Sequence, residues 1–165
     1  MCDLFGQTQE EQIAKLCQQR KTEGIRIGFV ASCFDLLHAG HVLMLEDARS
    51  RCDLLVVALQ TDPTIDRPDS KNKPVQDYEE RRIMVAGCRY VDVLIEYATE
   101  ADLHRILVAL QPDIRVLGSD WEGKPYTGYE LAGIPVHFHQ RTHSYSTSAL
   151  RRRVAQAEQL TAQKK

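Results

Sequence analysis

The sequence predicts an α/β fold, a doubly wound parallel sheet of five strands with helices on both faces. Three observations carry this. Short apolar runs alternate with longer amphipathic segments along almost the whole chain, and that alternation builds parallel sheets covered by helices. The apolar runs are bounded by turn residues and have the length of buried strands rather than helices. The residues suited to phosphate chemistry directly follow predicted strands, where open α/β sheets bind their ligands.

Residues 8–22 read as a helix, because Ile13, Leu16 and Cys17 share a narrow apolar face and Gly24 ends it. Ile25 to Ala31 is the first buried strand. His41 to Cys52 is an amphipathic helix with Val42, Leu45 and Ala48 on one face, and Asp53 to Leu59 is the second strand. Residues 60–76 hold three prolines and several charges, a long loop of the kind that carries function or mobility. Asp77 and Glu80 form a capping-box pattern opening a helix to about Arg89. Val91 to Ile95 is a strand. Thr99 caps the next helix, which has Asp102 in its first turn and ends near Leu110. Ile114 to Leu117 and Ile134 to Phe138 are the last two strands, and Ser146 caps a C-terminal helix through about Gln159.

The chain has 165 residues, which suits a single domain with a core of its own. Residues 1–24 read as an N-terminal helical extension and 25–160 as that domain. With 21 Lys and Arg against 23 Asp and Glu, the charge balance argues against nucleic-acid or membrane partners. Arg151, Arg152, Arg153, Lys164 and Lys165 load the C-terminal end and read as a solvated helix face and a frayed tail. Five cysteines stand at positions 2, 17, 33, 52 and 88 without a C-x-x-C pair, which speaks for reduced thiols rather than a disulfide framework or zinc ribbon. No apolar run approaches the ~18 residues that span a bilayer, and the polar stretch from Met1 to Glu10 is unlike a signal peptide. The expected location is cytoplasmic.

Chemistry concentrates first in Ser32-Cys33-Phe34-Asp35-Leu36-Leu37-His38-Ala39-Gly40-His41. This segment leaves the first strand and enters a helix. His38 and His41 are three residues apart and share a face. Gly40 leaves room for a ligand to approach the backbone, and the free N–H groups of a helix start attract phosphate. Two imidazoles beside those donors can steady charge moving onto a leaving group. Local capping or packing of both histidines is the competing structural reading. A second segment, Arg141-Thr142-His143-Ser144-Tyr145-Ser146-Thr147-Ser148, combines a guanidinium fork with hydroxyls at a helix N-terminus; alone it would be an ordinary cap. A third, Gly118-Ser119-Asp120-Trp121-Glu122-Gly123-Lys124, carries the single tryptophan, a residue that otherwise serves packing. The loop with Arg67, Lys71 and Lys73 leads into Tyr78-Glu79-Glu80-Arg81-Arg82 and supplies the cations that two approaching polyanions require. His137 and His139 share a strand face and read as paired or solvated rather than metal-binding. No residue is assigned to a resident metal.

The first segment resembles the H-x-G-H signature of the nucleotidyltransferase superfamily, in the form G-x-F-D-x-x-H-x-G-H, with Ser32 here in place of the usual glycine. The second is similar to the R-T-x-x-x-S-T-S/T motif of cytidylyltransferases. The third is similar to the G-D-D-W-E-G-K stretch of the glycerol-3-phosphate cytidylyltransferases, with Ser119 replacing one acid. The helix start resembles their Y-E-x-R, and Asp62 matches the acid of their S-T-D. The resemblance covers roughly residues 25–155 and implies a Rossmann-like fold.

The resemblance further implies in-line attack of an acceptor phosphate on the α-phosphorus of CTP, with release of pyrophosphate and no covalent enzyme intermediate. It assigns catalysis to His38, His41, Arg141 and Arg81. Nucleotide binding falls to Ser32, Cys33, Phe34, Asp35, Gly40, Gly118, Asp120, Trp121, Arg141, Thr142, Ser146, Thr147 and Ser148. Acceptor binding falls to Lys71, Lys73, Asp62 and Arg81, with Asp35 and Asp62 orienting other groups or sitting near a metal. Mg²⁺ would arrive with the triphosphate. The implied acceptor is glycerol 3-phosphate or a related polyol or sugar phosphate, and the implied assembly is a homodimer. No strongly shifted pKa is required. Two alternatives stay open beside this: an ATP-dependent adenylyltransferase acting on a sugar phosphate or FMN, and a nucleotide-binding module without turnover. A third is an interaction protein that docks its N-terminal helix on a partner subunit.

Overall fold

The computed structural model describes residues 8–162. The elements run α1 (Gln9–Glu23), β1 (Ile27–Ser32), α2 (Ala39–Arg49), β2 (Leu54–Gln60), α3 (Tyr78–Ala86), β3 (Val93–Tyr97), α4 (Glu100–Leu110), β4 (Ile114–Gly118), a 3₁₀ turn at Ser119–Trp121, β5 (Val136–His139) and α5 (Thr147–Ala162). The sheet is wholly parallel, ordered β3-β2-β1-β4-β5. This is the predicted Rossmann-like architecture. Boundaries move by a few residues: the second helix starts at Ala39 rather than His41, and the third stops at Ala86.

The caps explain where the helices begin. Thr8 with Glu11, Asp77 with Glu80 and Thr99 with Asp102 each form a capping box, satisfying backbone donors that a helix start leaves unpaired. Gly24 closes α1 in the left-handed conformation at φ 68°.

The N-terminal edge of the sheet is tied by three aspartates. Asp53 accepts from the Arg26 N–H at 2.7 Å, Asp113 from the Ile27 N–H at 2.8 Å and Asp92 from the Leu55 N–H at 2.7 Å. With that edge closed by side chains, the carboxyl edge is left for ligands.

Alternation along the strands splits the core in two. Ile27 and Phe29 of β1, Val56 and Ala58 of β2, and Ile95 and Tyr97 of β3 pack under α4 and α1. Val30, Leu55, Val57, Leu59 and Val116 pack under α2 and α3, against Leu45, Ala48 and Val85. The apolar face of α1 is spent within the chain, where Ile13 and Leu16 are buried in the α4-side core. Among the described residues no helix is long and apolar enough to cross a membrane.

The docking of α1 gives a first test. Leu16 is only 4% exposed, and truncating a buried leucine costs about 2–5 kcal/mol. Leu16→Ala is expected to lower stability in urea melts within that range and to raise amide exchange in α1 above that in β1 and β2. Unchanged stability would show α1 to be loosely attached.

Candidate functional site

Strand order reverses at β1, which pairs with β2 on one side and β4 on the other. The crevice beyond this switch is where a doubly wound sheet binds ligands. The segments after β1, β4 and β5 meet there.

The loop after β1 is strained. Phe34 and Leu36 both sit at φ 49°, a left-handed conformation costing of order 1–3 kcal/mol for a non-glycine residue. Asp35 between them holds it. One carboxylate oxygen accepts from the Val75 and Gln76 N–H groups at 2.9 and 3.1 Å, and the other receives Arg151 at 2.6 Å. Asp35 is 7% exposed. It therefore orients the loop, and both oxygens are committed to protein donors. Arg151, expected on a solvated face, is drawn in by this pairing and also donates to the Lys73 carbonyl at 3.1 Å.

Arg81 lies beneath the site rather than in it. It is 1% exposed. Its Nε donates to the Gln76 carbonyl at 3.2 Å, one terminal nitrogen donates to Cys33 at 2.9 Å and Gln60 at 2.7 Å, and the other donates to Thr61. A phosphate contact from Arg81 is thereby corrected to a positioning role, because the side chain is buried and four of its five N–H donors serve carbonyls at the ends of β1 and β2 and ahead of α3. Burial pushes the nearby Cys33 thiol up, the Arg81 charge only partly opposing it.

The two histidines stack with centroids 3.9 Å apart and planes at 18°. His38 is the N-cap of α2, and its Nδ1 accepts from the Gly40 N–H at 3.1 Å. A neutral His38 ring therefore carries its proton on Nε2, which lies 3.4 Å from Thr147 Oγ1. Thr147 in turn donates to the Asp35 carbonyl at 3.3 Å. The first and second motif segments thus close on each other through one hydroxyl. Phe34 meets His41 edge-on at 5.2 Å, and His41 Nδ1 is buried without a partner. Burial first, then the His38 and Arg141 charges, pushes the His41 pKa down to about 3. Burial, followed by the His143 charge, lowers that of His38. The expectation that no pKa shift is involved is corrected here: at neutral pH both rings are held neutral.

Gly40 does not open a ligand channel to the backbone. A Cβ there would lie 2.9 Å from His143 Cε1 and 3.1 Å from the Tyr145 carbonyl, so the gap is filled by the second motif. His143 was missed as a site residue. It stacks on Tyr145 at 4.8 Å, and its Nδ1 accepts from the Tyr145 N–H at 3.2 Å, the same two-residue arrangement as in His38. That repeated H-x-G and H-x-Y geometry is the signal that a sequence reading could use.

Arg141 and Asp120 pair at 3.0 Å, both about half exposed, over Gly118, where a Cβ would sit 2.4 Å from Asp120 Oδ1. Ser146 caps α5 through the Ala149 N–H at 3.2 Å. His137 and His139 turn toward α2. Both bind one oxygen of Asp47 on α2, at 2.9 and 2.8 Å. Among the described residues no cluster of three or more His, Cys, Asp or Glu is placed to hold a metal ion.

Two adjoining cavities result. One of about 390 Å³ includes His38, Gly40, His41, Gly118, His143 and Ser146 in its wall. The other, about 650 Å³, extends toward α4 and includes Cys33, Phe34, Asp35, Gln60, Arg67 and Arg115. Ser32, His41, Lys71, Asp120, Trp121, Arg141, Thr147 and Ser148 border both. Lys73, Asp62 and Thr142 lie off these walls; Asp62 instead accepts from the Thr64 N–H and hydroxyl at 2.9 and 2.6 Å.

A family model described as cytidylyltransferase-like matches residues 29–153. Curated relatives include the bifunctional protein HldE of Wolinella succinogenes, 34% identical over 131 residues, or 76% of this chain and 27% of that one. HldE of a Bradyrhizobium species is 36% identical over 79% of this chain and 27% of its own. The chain spans about a quarter of the length of these relatives. Among solved structures, a lipopolysaccharide core biosynthesis protein from Thermoplasma volcanium is 29% identical with a TM-score of 0.57, covering 74% of this chain and all of that one. Pantothenate synthetase from Thermus thermophilus, at 19% identity, TM-score 0.57, 80% of this chain and 61% of that one, shares the fold.

Two tests follow from the geometry. Arg81→Met leaves several buried carbonyls unsatisfied at about 1–3 kcal/mol each, so its melting temperature should fall sharply, and Arg81→Lys should recover only part. A full recovery by lysine would count against the multi-carbonyl clamp. The His41 pKa lies below its unfolded value, so its contribution to stability is present above pH ~6.5 and drains away as pH falls toward 3. The slope is about 1.4 kcal/mol per pH unit for one group. His41→Asn should flatten the pH dependence of urea stability between pH 6 and 4.5; an unaltered slope would show that His41 titrates normally.

Proposed function

Because the chain belongs to the cytidylyltransferase-like family, we propose that this nucleotidyltransferase-like domain transfers CMP from CTP to a small phosphorylated polyol or sugar and releases pyrophosphate. One observation carries the reading: Thr147 Oγ1 stands 3.4 Å from His38 Nε2, which brings the histidine motif and the Arg141–Ser148 segment to the same crevice. The Arg141-Thr142 pair and the Trp121-Glu122-Gly123-Lys124 run support CTP as the donor.

In the proposed reaction an oxygen of the acceptor phosphate attacks the α-phosphorus. The new O–P bond forms as the α–β bridging bond breaks, and the electron pair leaves with pyrophosphate. When the triphosphate binds, neutral His38 turns its Nε2 proton from the long contact with Thr147 to a triphosphate oxygen, and His41 holds the stacked ring in place. Arg141 exchanges part of its pairing with Asp120 for phosphate. The hydroxyls and N–H groups of Ser146, Thr147 and Ser148 cradle the leaving phosphates. Lys71, at the junction of the cavities, meets the acceptor phosphate. Catalysis is then positioning and electrostatics. Both Asp35 oxygens are engaged by protein donors, and among the described residues no cluster of three or more His, Cys, Asp or Glu is placed to hold an ion; Mg²⁺ is therefore assigned to the triphosphate, as part of the substrate.

A second reading keeps the reaction but uses ATP and a sugar phosphate. The 29% identity to a lipopolysaccharide core biosynthesis protein favours a sugar acceptor. Pyrophosphate release with CTP and with ATP, each against glycerol 3-phosphate and a panel of polyol and sugar phosphates, separates them. We expect release with CTP, and a loss of at least 100-fold in kcat for His41→Ala. Release with ATP alone would select the second reading. Silence with both donors, despite tight nucleotide binding, would mark a module without turnover.

A further inference from the structure

The larger cavity holds a polar network on the α4 side of the sheet that the reaction as described does not use. Gln60, the last residue of β2, is 2% exposed, and Arg115, in the interior of β4, is 4% exposed. Both replace apolar residues on a face otherwise given to the core. Gln60 Oε1 accepts from Arg67 at 3.3 Å, and Arg67 pairs with Glu100 at 2.7 Å. Glu100 also receives the Thr127 hydroxyl, and Arg115 donates to the Thr127 carbonyl. Gln60 Nε2, Arg67 Nε and Arg115 Nε have no partner.

An unpaired buried donor costs about 1–3 kcal/mol, and native proteins keep few of them. Tethering the surrounding loops to α4 would explain the bonds that are made, but not the donors left over. The chemistry of the set is specific. It offers N–H donors, the apolar faces of Tyr97, Leu103 and Tyr126 in the same wall, and the Glu100 carboxylate and Gln60 amide oxygens, each accepting one bond within the set and able to accept a second. A hydroxylated carbon chain, with groups that both donate and accept and with apolar C–H faces between them, matches that wall.

Resting on the proposed reaction, we infer that this cavity is the acceptor's carbon-chain site, and that the acceptor is a sugar phosphate or a polyol phosphate longer than glycerol 3-phosphate. Its phosphate lies at Lys71 on the border with the nucleotide cavity, and its hydroxyls reach Gln60, Arg67, Glu100 and Arg115. These four residues set acceptor specificity. The acceptor residues expected from sequence, other than Lys71, are not among them.

The test compares glycerol 3-phosphate, ribitol 5-phosphate and a hexose 1-phosphate as acceptors, for the wild-type chain and for Glu100→Gln and Gln60→Ala. Calorimetric titration of each acceptor is run in the presence of a non-reactive CTP or ATP analogue. One longer acceptor is expected to bind at least tenfold more tightly than glycerol 3-phosphate, and both variants should erase most of that difference. The nucleotide Kd, read from Trp121 fluorescence, should stay within twofold, which also reports folding. A preference for glycerol 3-phosphate, or variants that keep the wild-type discrimination, would overturn the inference. Binding of a longer acceptor that Glu100→Gln abolishes, with no pyrophosphate released from any pair, would instead uphold the site and overturn the reaction.

Discussion

The site depends on the buried carboxylate of Asp35. Through two backbone N–H groups and the Arg151 guanidinium it binds the loop after β1 to the end of the long 60–76 loop and to the first turns of α5. Hydrogen bonds to a charged group contribute about 1.5–3 kcal/mol each. Together they offset the left-handed strain at Phe34 and Leu36 on either side. Without this junction the histidine loop, the long loop and the final helix have no common anchor.

Arg81 performs the complementary task from below. A guanidinium can serve four carbonyls at once only because its donors are fixed in a planar fork. It uses them to gather the ends of β1 and β2 and the start of α3. Asp35 and Arg81 do not pair with each other in the contacts described. Arg81 is satisfied by backbone carbonyls and Asp35 by two N–H groups and Arg151, so the crevice rests on a polar frame that a ligand need not disturb.

Above that frame the electrostatics favour neutral imidazoles. His38, His41 and His143 crowd one cavity together with Arg141, and burial plus mutual repulsion holds protons off the first two. Neutral rings donate directed N–H bonds without adding charge that a departing pyrophosphate would have to leave behind. The larger cavity works differently, with Arg67 and Glu100 paired, the Thr127 hydroxyl donating to Glu100, and donors still unspent. One crevice thus has a wall suited to phosphates and a wall suited to hydroxyls.

The amino-acid sequence by itself determined the alternation of strands and helices, the capping box at Asp77, the cap at Thr99, and the segments that carry the chemistry. These follow from periodicity and from contacts three or four residues apart, which the order of residues states directly. It also placed His38 and His41 on one face, because that is a local spacing. Only the tertiary structure decided that Arg81 is a buried clamp, that Arg151 joins Asp35 across 116 residues, and that His143 fills the gap over Gly40. It alone turned Gln60 and Arg115, single polar residues in apolar runs, into neighbours across a cavity. The physical reason is that a residue's charge state and partners are set by what folds over it, and burial depends on contacts whose distance along the chain carries no periodic signal.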